Sequence, residues 1–309
     1  MAILYAADPS EADQWLGSIR EIDPELTFRH WPDYGPAEEI DFIIVSGHLP
    51  ADLSAFTHVR GIQSTWAGVN HLMQGGGLPA GVPLARMVDD GLTVSMSEYM
   101  VFHVLDRLRQ GKALRQAQRD HVWAEHLSPA ALQPAIGIMG LGTLGQDAAR
   151  QLLPLGLPLR GWSRTAKQVE GVESFAGLET LPAFLGGCDI LICLLPLTSE
   201  TTGILNRRLF DLLPKHACVI NAARGAHLVE EDLLAVLDSG HLDHAVLDVF
   251  RTEPLPAGHP FWAHPKVTIT PHIAAITRPG TGAALIVENY RRATAGERLQ
   301  NQVDQAQGY

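Results

Sequence analysis

The sequence predicts an α/β protein with doubly wound parallel sheets shared between two domains. Three observations carry that expectation. Short apolar runs alternate with helical patterns along most of the chain, the pattern of repeated βαβ units. A glycine-spaced turn joins an apolar run to a helical one at 135–153. Three later apolar runs each lead straight into a loop that carries an arginine, a glutamate or a histidine.

The first set of predicted strands is "AILYAA" (2–7), "FIIVS" (42–46), "GIQST" (61–65) and "PLARMV" (83–88). Between the last two, "MQGGGLPAGVP" (73–83) is rich in glycine but lacks the Lys-Ser/Thr of a phosphate loop, so it reads as a connector. A long, mostly buried helix is expected over 97–110, where Tyr99, Met100, Phe102, Val104, Leu105 and Leu108 supply the apolar positions. The polar stretch 111–133 with Trp123 at its middle reads as an exposed arm. That tryptophan is either part of a partner surface or a local anchor. The second set of strands is "AIGIMG" (135–140), "LPLRGWS" (157–163), "DILICLL" (189–195), "ACVINAA" (217–223), "HAVLDVF" (244–250) and "KVTITP" (266–271). No segment recurs with a period of 20–50 residues, which excludes a solenoid.

The bulk numbers narrow the function classes. With 309 residues, 46% hydrophobic and 18% charged, the chain is long enough for two ordinary domains with sizeable cores. A formal net charge of −11 argues against a general nucleic-acid or anionic-membrane binder. An anionic substrate must then be caught by a local basic group against an unfavourable overall field. The three cysteines, Cys188, Cys193 and Cys218, have no C-x-x-C spacing and read as buried reduced thiols. The opening residues resemble a first strand rather than a signal peptide, and no run is long enough to span a bilayer. A cytoplasmic location is expected. His241 and His244 lie before a strand without the i, i+4 spacing of a helical zinc site, and no metal is expected.

In "IGIMGLGTLGQDAARQLLPLG", Gly140, Gly142 and Gly145 stand in G-x-G-x-x-G order. Such a motif is weak alone, but here it closes a predicted strand and opens a helix with apolar Ala148, Ala149, Leu152 and Leu153. The first glycine permits a tight turn, the second lets backbone approach a pyrophosphate, and the third lets helix and strand pack closely. The amides around Thr143 and Leu144 then sit at the positive end of the helix dipole, where phosphates bind. The next strand should end where an acid would hold the ribose hydroxyls of NAD. Ser163 and Arg164 occupy that place, with Lys167 close behind. A guanidinium pairs with a 2′-phosphate where a carboxylate repels it. The expected cofactor is therefore NADPH, with NADH the second candidate; the alternative is that Arg164 and Lys167 are solvated loop charges.

Downstream, "INAARGAHLVEEDLL" (220–234), "LDVFRTEPLP" (247–256) and "VTITPHIAAITRP" (267–279) each follow a predicted strand, and open α/β sheets bind ligands at that edge. They supply Arg224, Glu253 and His272. An arginine holds a 2-oxo acid and polarises its carbonyl. A histidine protonates the developing alkoxide near neutral pH. A glutamate beside that histidine orients it and raises its pKa; the alternative is a surface glutamate.

These stretches, with "GLGTLG" and "HPKVTITPHIAA", closely resemble the signatures of the D-2-hydroxyacid dehydrogenase family. "RGWSRTAK", "SFAGLETLPAFL", "CLLPLTSETTGIL", "ITRP" and the final "QVDQAQGY" resemble its glyoxylate/hydroxypyruvate reductase A subgroup. The resemblance runs from about residue 60 to the end. It implies a Rossmann cofactor domain over 98–282 and a smaller flavodoxin-like substrate domain from 1–97 and 283–309. It implies that His272 is the proton donor in an Arg224–Glu253–His272 set. It further implies that Ala67, Gly68 and Val69 hold the substrate carboxylate beside Trp66, and that Leu195, Pro196, Ala222 and Asp248 line the nicotinamide half of the cofactor. Residues 111–133 correspond to the arm of family homodimers.

The function expected is NADPH-dependent reduction of a small 2-oxo acid, glyoxylate or hydroxypyruvate. Two rivals remain at this point. One is an oxidative dehydrogenase of another small acid, of the formate or phosphite type. The other is a non-catalytic nucleotide sensor.

Overall fold

The computed structural model describes residues 2–47, 49–125 and 133–304. Residues 126–132 of the expected arm and the last five residues lie outside them. The chain divides into two compact units, Met1–Leu92 with Ile276–Tyr309, and Thr93–Ala275.

The first unit contains β1 (Ala2–Ala6), α1 (Ala12–Ile22), β2 (Phe28–His30), β3 (Ile40–Val45), β4 (Gly61–Ser64), α2 (Asn70–Gly75) and β5 (Leu84–Ala85). Its parallel strands run in the order β2-β1-β3-β4-β5. Every residue of β1 and β3 is buried, the pattern of strands covered on both faces. The chain leaves through α3 (Asp90–Leu108), whose first turn is capped by the Asp89 carboxylate accepting from the Leu92 amide at 3.2 Å.

The second unit continues along α3 into α4 (Gly111–Arg119), β6 (Ile136–Met139), α5 (Thr143–Leu152), β7 (Leu159–Ser163), β8 (Val172–Ala176), α6 (Leu181–Leu185) and β9 (Ile190–Cys193). It then adds α7 (Arg207–Phe210), β10 (Ala217–Asn221), α8 (Glu230–Asp238), β11 (Leu242–Leu247) and β12 (Val267–Ile269). The seven parallel strands run β12-β11-β10-β9-β6-β7-β8. The winding reverses between β6 and β9, and such a switch point opens a crevice at the carboxyl ends of the strands. One face of the sheet packs on Met96, Met100 and Val104 of α3 and on Ala148, Ala149 and Leu152 of α5. The other packs on Phe184, Phe210, Leu233 and Leu237.

Helix α9 (Pro279–Ala295) returns to the first unit, which explains its discontinuity. Buried Asn289 donates to Gln63 Oε1 at 2.6 Å and accepts from the Gln300 amide at 2.7 Å. Beyond it, the Val303 amide donates to the Leu84 carbonyl at 2.8 Å, so the tail lies against β5.

Three differences from the expected elements have physical causes. Strands β2 and β8 carry no buried residue, and as sheet edges they need no continuous apolar run. Helix α3 begins at Asp90, ahead of 97, because Asp89 caps it. Its burial is also narrower than expected: Phe102 is 59% exposed and Leu105 36%.

A pH dependence of stability follows from β11. His244 is held by Thr268 Oγ1 at 3.0 Å. Burial, with Lys112 and Arg107 nearby, pushes its pKa from 6.5 to about 4. Burial also lowers the pKa of His103 and of His227. The unfolded chain therefore binds more protons than the folded one between these values. The stability due to neutral His244 is fully present above pH 6.5 and lost as the pH falls towards about 4. That difference corresponds to roughly 3 kcal/mol. Thermal melting of His244→Gln is expected to fall less between pH 7 and pH 4.5 than melting of the wild-type chain; parallel curves would contradict the assignment.

Candidate active site

The glycine turn after β6 is built as its spacing demands. Gly140 has φ +104°, and a Cβ there would meet the Leu194 carbonyl oxygen at 2.6 Å. A Cβ on Gly145 would lie 1.9 Å from the Gly140 carbonyl oxygen, so only glycine lets α5 approach the turn. At Gly142, the N-cap of α5, an added Cβ meets nothing within 4 Å. The approach to the helix end is open, and the amides of its first turn, from Thr143 through Leu144 and Gly145, have no intrahelical acceptor. This cradle fits a dinucleotide pyrophosphate.

Beside it, β7 ends at Ser163, and the Gly140 amide donates to the Trp162 carbonyl at 2.8 Å. Ser163 is buried and its hydroxyl donates to the Thr165 carbonyl at 2.8 Å, closing the turn. Arg164 is exposed and Lys167 half-buried on the same turn. Leu195 and Pro196 follow β9, and buried Ala222 follows β10.

Arg224, Glu253 and His272 come from the loops after β10, β11 and β12. His272 Nδ1 and Glu253 Oε2 are 2.7 Å apart. Oε1 of the same glutamate accepts from the Phe250 amide at 2.8 Å. Burial pushes the Glu253 pKa up, but the bonds from His272 and Phe250 and the charges of His272 and Arg224 outweigh it, leaving the carboxyl below its usual range. Arg224 is half-buried, with Nη1 donating to the Ala223 carbonyl at 2.6 Å. Desolvation lowers its pKa and Glu253 opposes the shift; a guanidinium stays charged at neutral pH regardless.

Gly225 brings these loops together. A Cβ there would lie 1.9 Å from the Phe250 carbonyl carbon, so the arginine loop rests directly on the backbone leading to Glu253. Buried His227 adds a second brace, with ring nitrogens 3.1 Å from the Arg224 carbonyl and 3.2 Å from that of Pro196.

His272 has φ +56°, a left-handed conformation that costs roughly 1 kcal/mol for a residue with a Cβ. Asp248 offsets that cost. Its carbonyl accepts from the His272 amide at 2.8 Å. Its buried carboxylate accepts from Thr270 Oγ1 at 2.6 Å and from the Ile273 and Ala274 amides at 2.9 Å each. Sequence reasoning missed this bracing role of Asp248, and also Gly225, His227 and Thr270. For Gly225, His227 and Thr270 the one available signal was closeness in sequence to Arg224 or His272; Asp248 is distant in sequence from both and gave no such signal.

In the first unit, the loop after β4 carries Trp66, Ala67, Gly68 and Val69. The Trp66 amide donates to Ser64 Oγ at 3.0 Å, and its carbonyl accepts from the Met87 amide at 3.0 Å. Its indole occupies the space that a Cβ on Gly47 would fill. Ala67 and Gly68 are half-buried and Val69 is buried at the start of α2.

A doubly wound dinucleotide cradle with a histidine–glutamate pair at the same sheet edge defines a class, the nucleotide-dependent oxidoreductases of small molecules. Residues 101–274 match the D-isomer specific 2-hydroxyacid dehydrogenase, NAD binding domain. Over 315 aligned residues, and 100% of both chains, the protein is 42% identical to glyoxylate/hydroxypyruvate reductase A of Yersinia enterocolitica. A D-isomer specific 2-hydroxyacid dehydrogenase of Xanthobacter autotrophicus, solved with NADPH and MES, superposes with a TM-score of 0.94 at 39% identity, over 100% of this chain and 99% of that one. An NADPH-dependent glyoxylate/hydroxypyruvate reductase of Sinorhizobium meliloti, solved with NADP and sulfate, gives 0.91 at 37% identity over the same shares. The chain belongs to the D-2-hydroxyacid dehydrogenase family.

Proposed function

We propose that the protein is an NADPH-dependent reductase of small 2-oxo acids, turning glyoxylate into glycolate and hydroxypyruvate into D-glycerate. The observation that carries this reading is the 2.7 Å contact of His272 Nδ1 with Glu253 Oε2, in a family whose similar members are reductases by name. The pyrophosphate would rest on Gly140, Gly142, Thr143, Leu144 and Gly145. Leu195, Pro196, Ala222 and Asp248 would border the nicotinamide half. Bound NADPH supplies a hydride to C2 of the substrate. With Nδ1 committed to Glu253, the proton His272 gives to the nascent hydroxyl comes from Nε2. Arg224 orients the carboxylate and draws charge onto the carbonyl oxygen. The amides of Ala67, Gly68 and Val69 hold the substrate carboxylate, and Trp66 narrows the pocket.

Ser163, Arg164 and Lys167 stand where an acid would select NAD, so Arg164 is assigned to the 2′-phosphate. Arg164→Ala is expected to lower kcat/KM for NADPH by roughly 10–100-fold, the worth of one charge-assisted pair, and to leave NADH unchanged. Equal loss with both cofactors would remove Arg164 from that role.

The second unit is assigned the dinucleotide and the first the substrate. A homodimer through the stretch from α3 to Glu125 is supported by apolar side chains exposed in the single chain, among them Phe102, Leu114 (42%), Val122 (54%) and Trp123 (88%). Sedimentation equilibrium tests it. Among the described residues no helix is long and apolar enough to cross a membrane. Three buried free thiols support a reducing, cytoplasmic location.

A further inference from the structure

The amides of His272, Ile273 and Ala274 all donate to Asp248, and Asp248 is itself tied to a helix far away in sequence. Thr270 Oγ1 lies 2.6 Å from Asp248 Oδ1 and 2.7 Å from the Tyr99 hydroxyl of α3. The direction of this chain is determined by its donors. A carboxylate only accepts, so Thr270 gives Asp248 its single hydroxyl hydrogen. Tyr99 must then donate to Thr270. The phenol is held in place by the His103 ring, whose centroid is 4.3 Å from that of Tyr99. Burial raises the Tyr99 pKa, so the donor keeps its proton.

We propose that Tyr99 is a positioning residue for the proton donor, acting through Thr270 and Asp248 to hold His272 in its left-handed backbone conformation. The polarised chain Tyr99→Thr270→Asp248 strengthens each member beyond an isolated bond. It also fixes the Asp248 carboxylate against the two amides that follow His272. Losing the first link lets Thr270 rotate, slackens the carboxylate and lets the imidazole drift. A misplacement of about 1 Å costs up to roughly 10²-fold in rate, and partial slackening should cost about tenfold.

The proposal rests on the reductase reading for its kinetic readout, so a second readout independent of turnover accompanies it. Tyr99→Phe, Thr270→Val and Thr270→Ser are compared with the wild type using NADPH and glyoxylate, together with amide hydrogen exchange at Ile273 and Ala274. Tyr99→Phe and Thr270→Val are expected to lower kcat about tenfold, to leave KM for NADPH within twofold, and to raise the solvent isotope effect. The double variant should be no worse than Thr270→Val alone. Thr270→Ser, which keeps the hydroxyl, should retain activity. Exchange at both amides should accelerate in the two defective variants. Normal exchange in Tyr99→Phe, or a loss of kcat that simply follows the fraction unfolded with an unaltered isotope effect, overturns the proposal. A wild-type chain inactive on 2-oxo acids contradicts the reductase reading, and exchange alone then decides the relay.

Discussion

His272→Gln is expected to lower turnover of a 2-oxo acid by roughly 10²–10⁴-fold, the range for a lost general acid, with little change in NADPH affinity. Glutamine preserves much of the side-chain bulk and can still bond Glu253, but it has no proton to give at neutral pH. The loop is held by Asp248 through its contacts to Thr270, Ile273 and Ala274, and these do not involve the imidazole. A companion His272→Asn variant separates chemistry from backbone strain, because asparagine tolerates the left-handed region well. Both variants should fail equally. Single-turnover rates with saturating NADPH measure the effect, and survival of turnover within a few-fold would mean that another group or water supplies the proton.

Arg224→Gln is expected to lower kcat/KM by about 10²–10³-fold, as for other removed transition-state donors. The loss should appear in KM and in kcat, since the side chain is assigned both the carboxylate and the polarised carbonyl. Arg224→Lys should recover only part of it, because an ammonium is a point charge without the planar fork. The position tolerates no compensating movement. Gly225 packs its backbone against Phe250, and His227 sits 3.1 Å from the Arg224 carbonyl. Full activity in the lysine variant would reduce the role of Arg224 to charge alone.

What the sequence made legible follows the strength of the physical constraint. Strands β1, β3, β6, β9 and β10 are buried throughout, and such strands must read as apolar runs. The edge strand β8 reads "VESFA", with neither a continuous apolar run nor the period-two alternation that marks a strand. The glycine turn was legible because φ +104° at Gly140 and the contact at Gly145 exclude side chains. The His272–Glu253 pair spans 19 positions, a separation without local periodicity; it was reached from strand ends and family resemblance. The family resemblance placed Asp248 beside the cofactor, but it did not disclose that its carboxylate also accepts from three donors around His272. Those bonds depend on how two parallel strand ends align, and a one-dimensional pattern does not contain that alignment.

The most direct test of the reductase account is loss of reduced-nicotinamide absorbance when NADPH and NADH are each offered with glyoxylate, hydroxypyruvate and pyruvate. The account predicts rapid oxidation of NADPH by glyoxylate and hydroxypyruvate, and much slower oxidation of NADH. Turnover with NADH alone would leave the Arg224–Glu253–His272 chemistry in place and remove Arg164 from cofactor selection. Binding of NADPH with no turnover of any of the three acids would contradict the account.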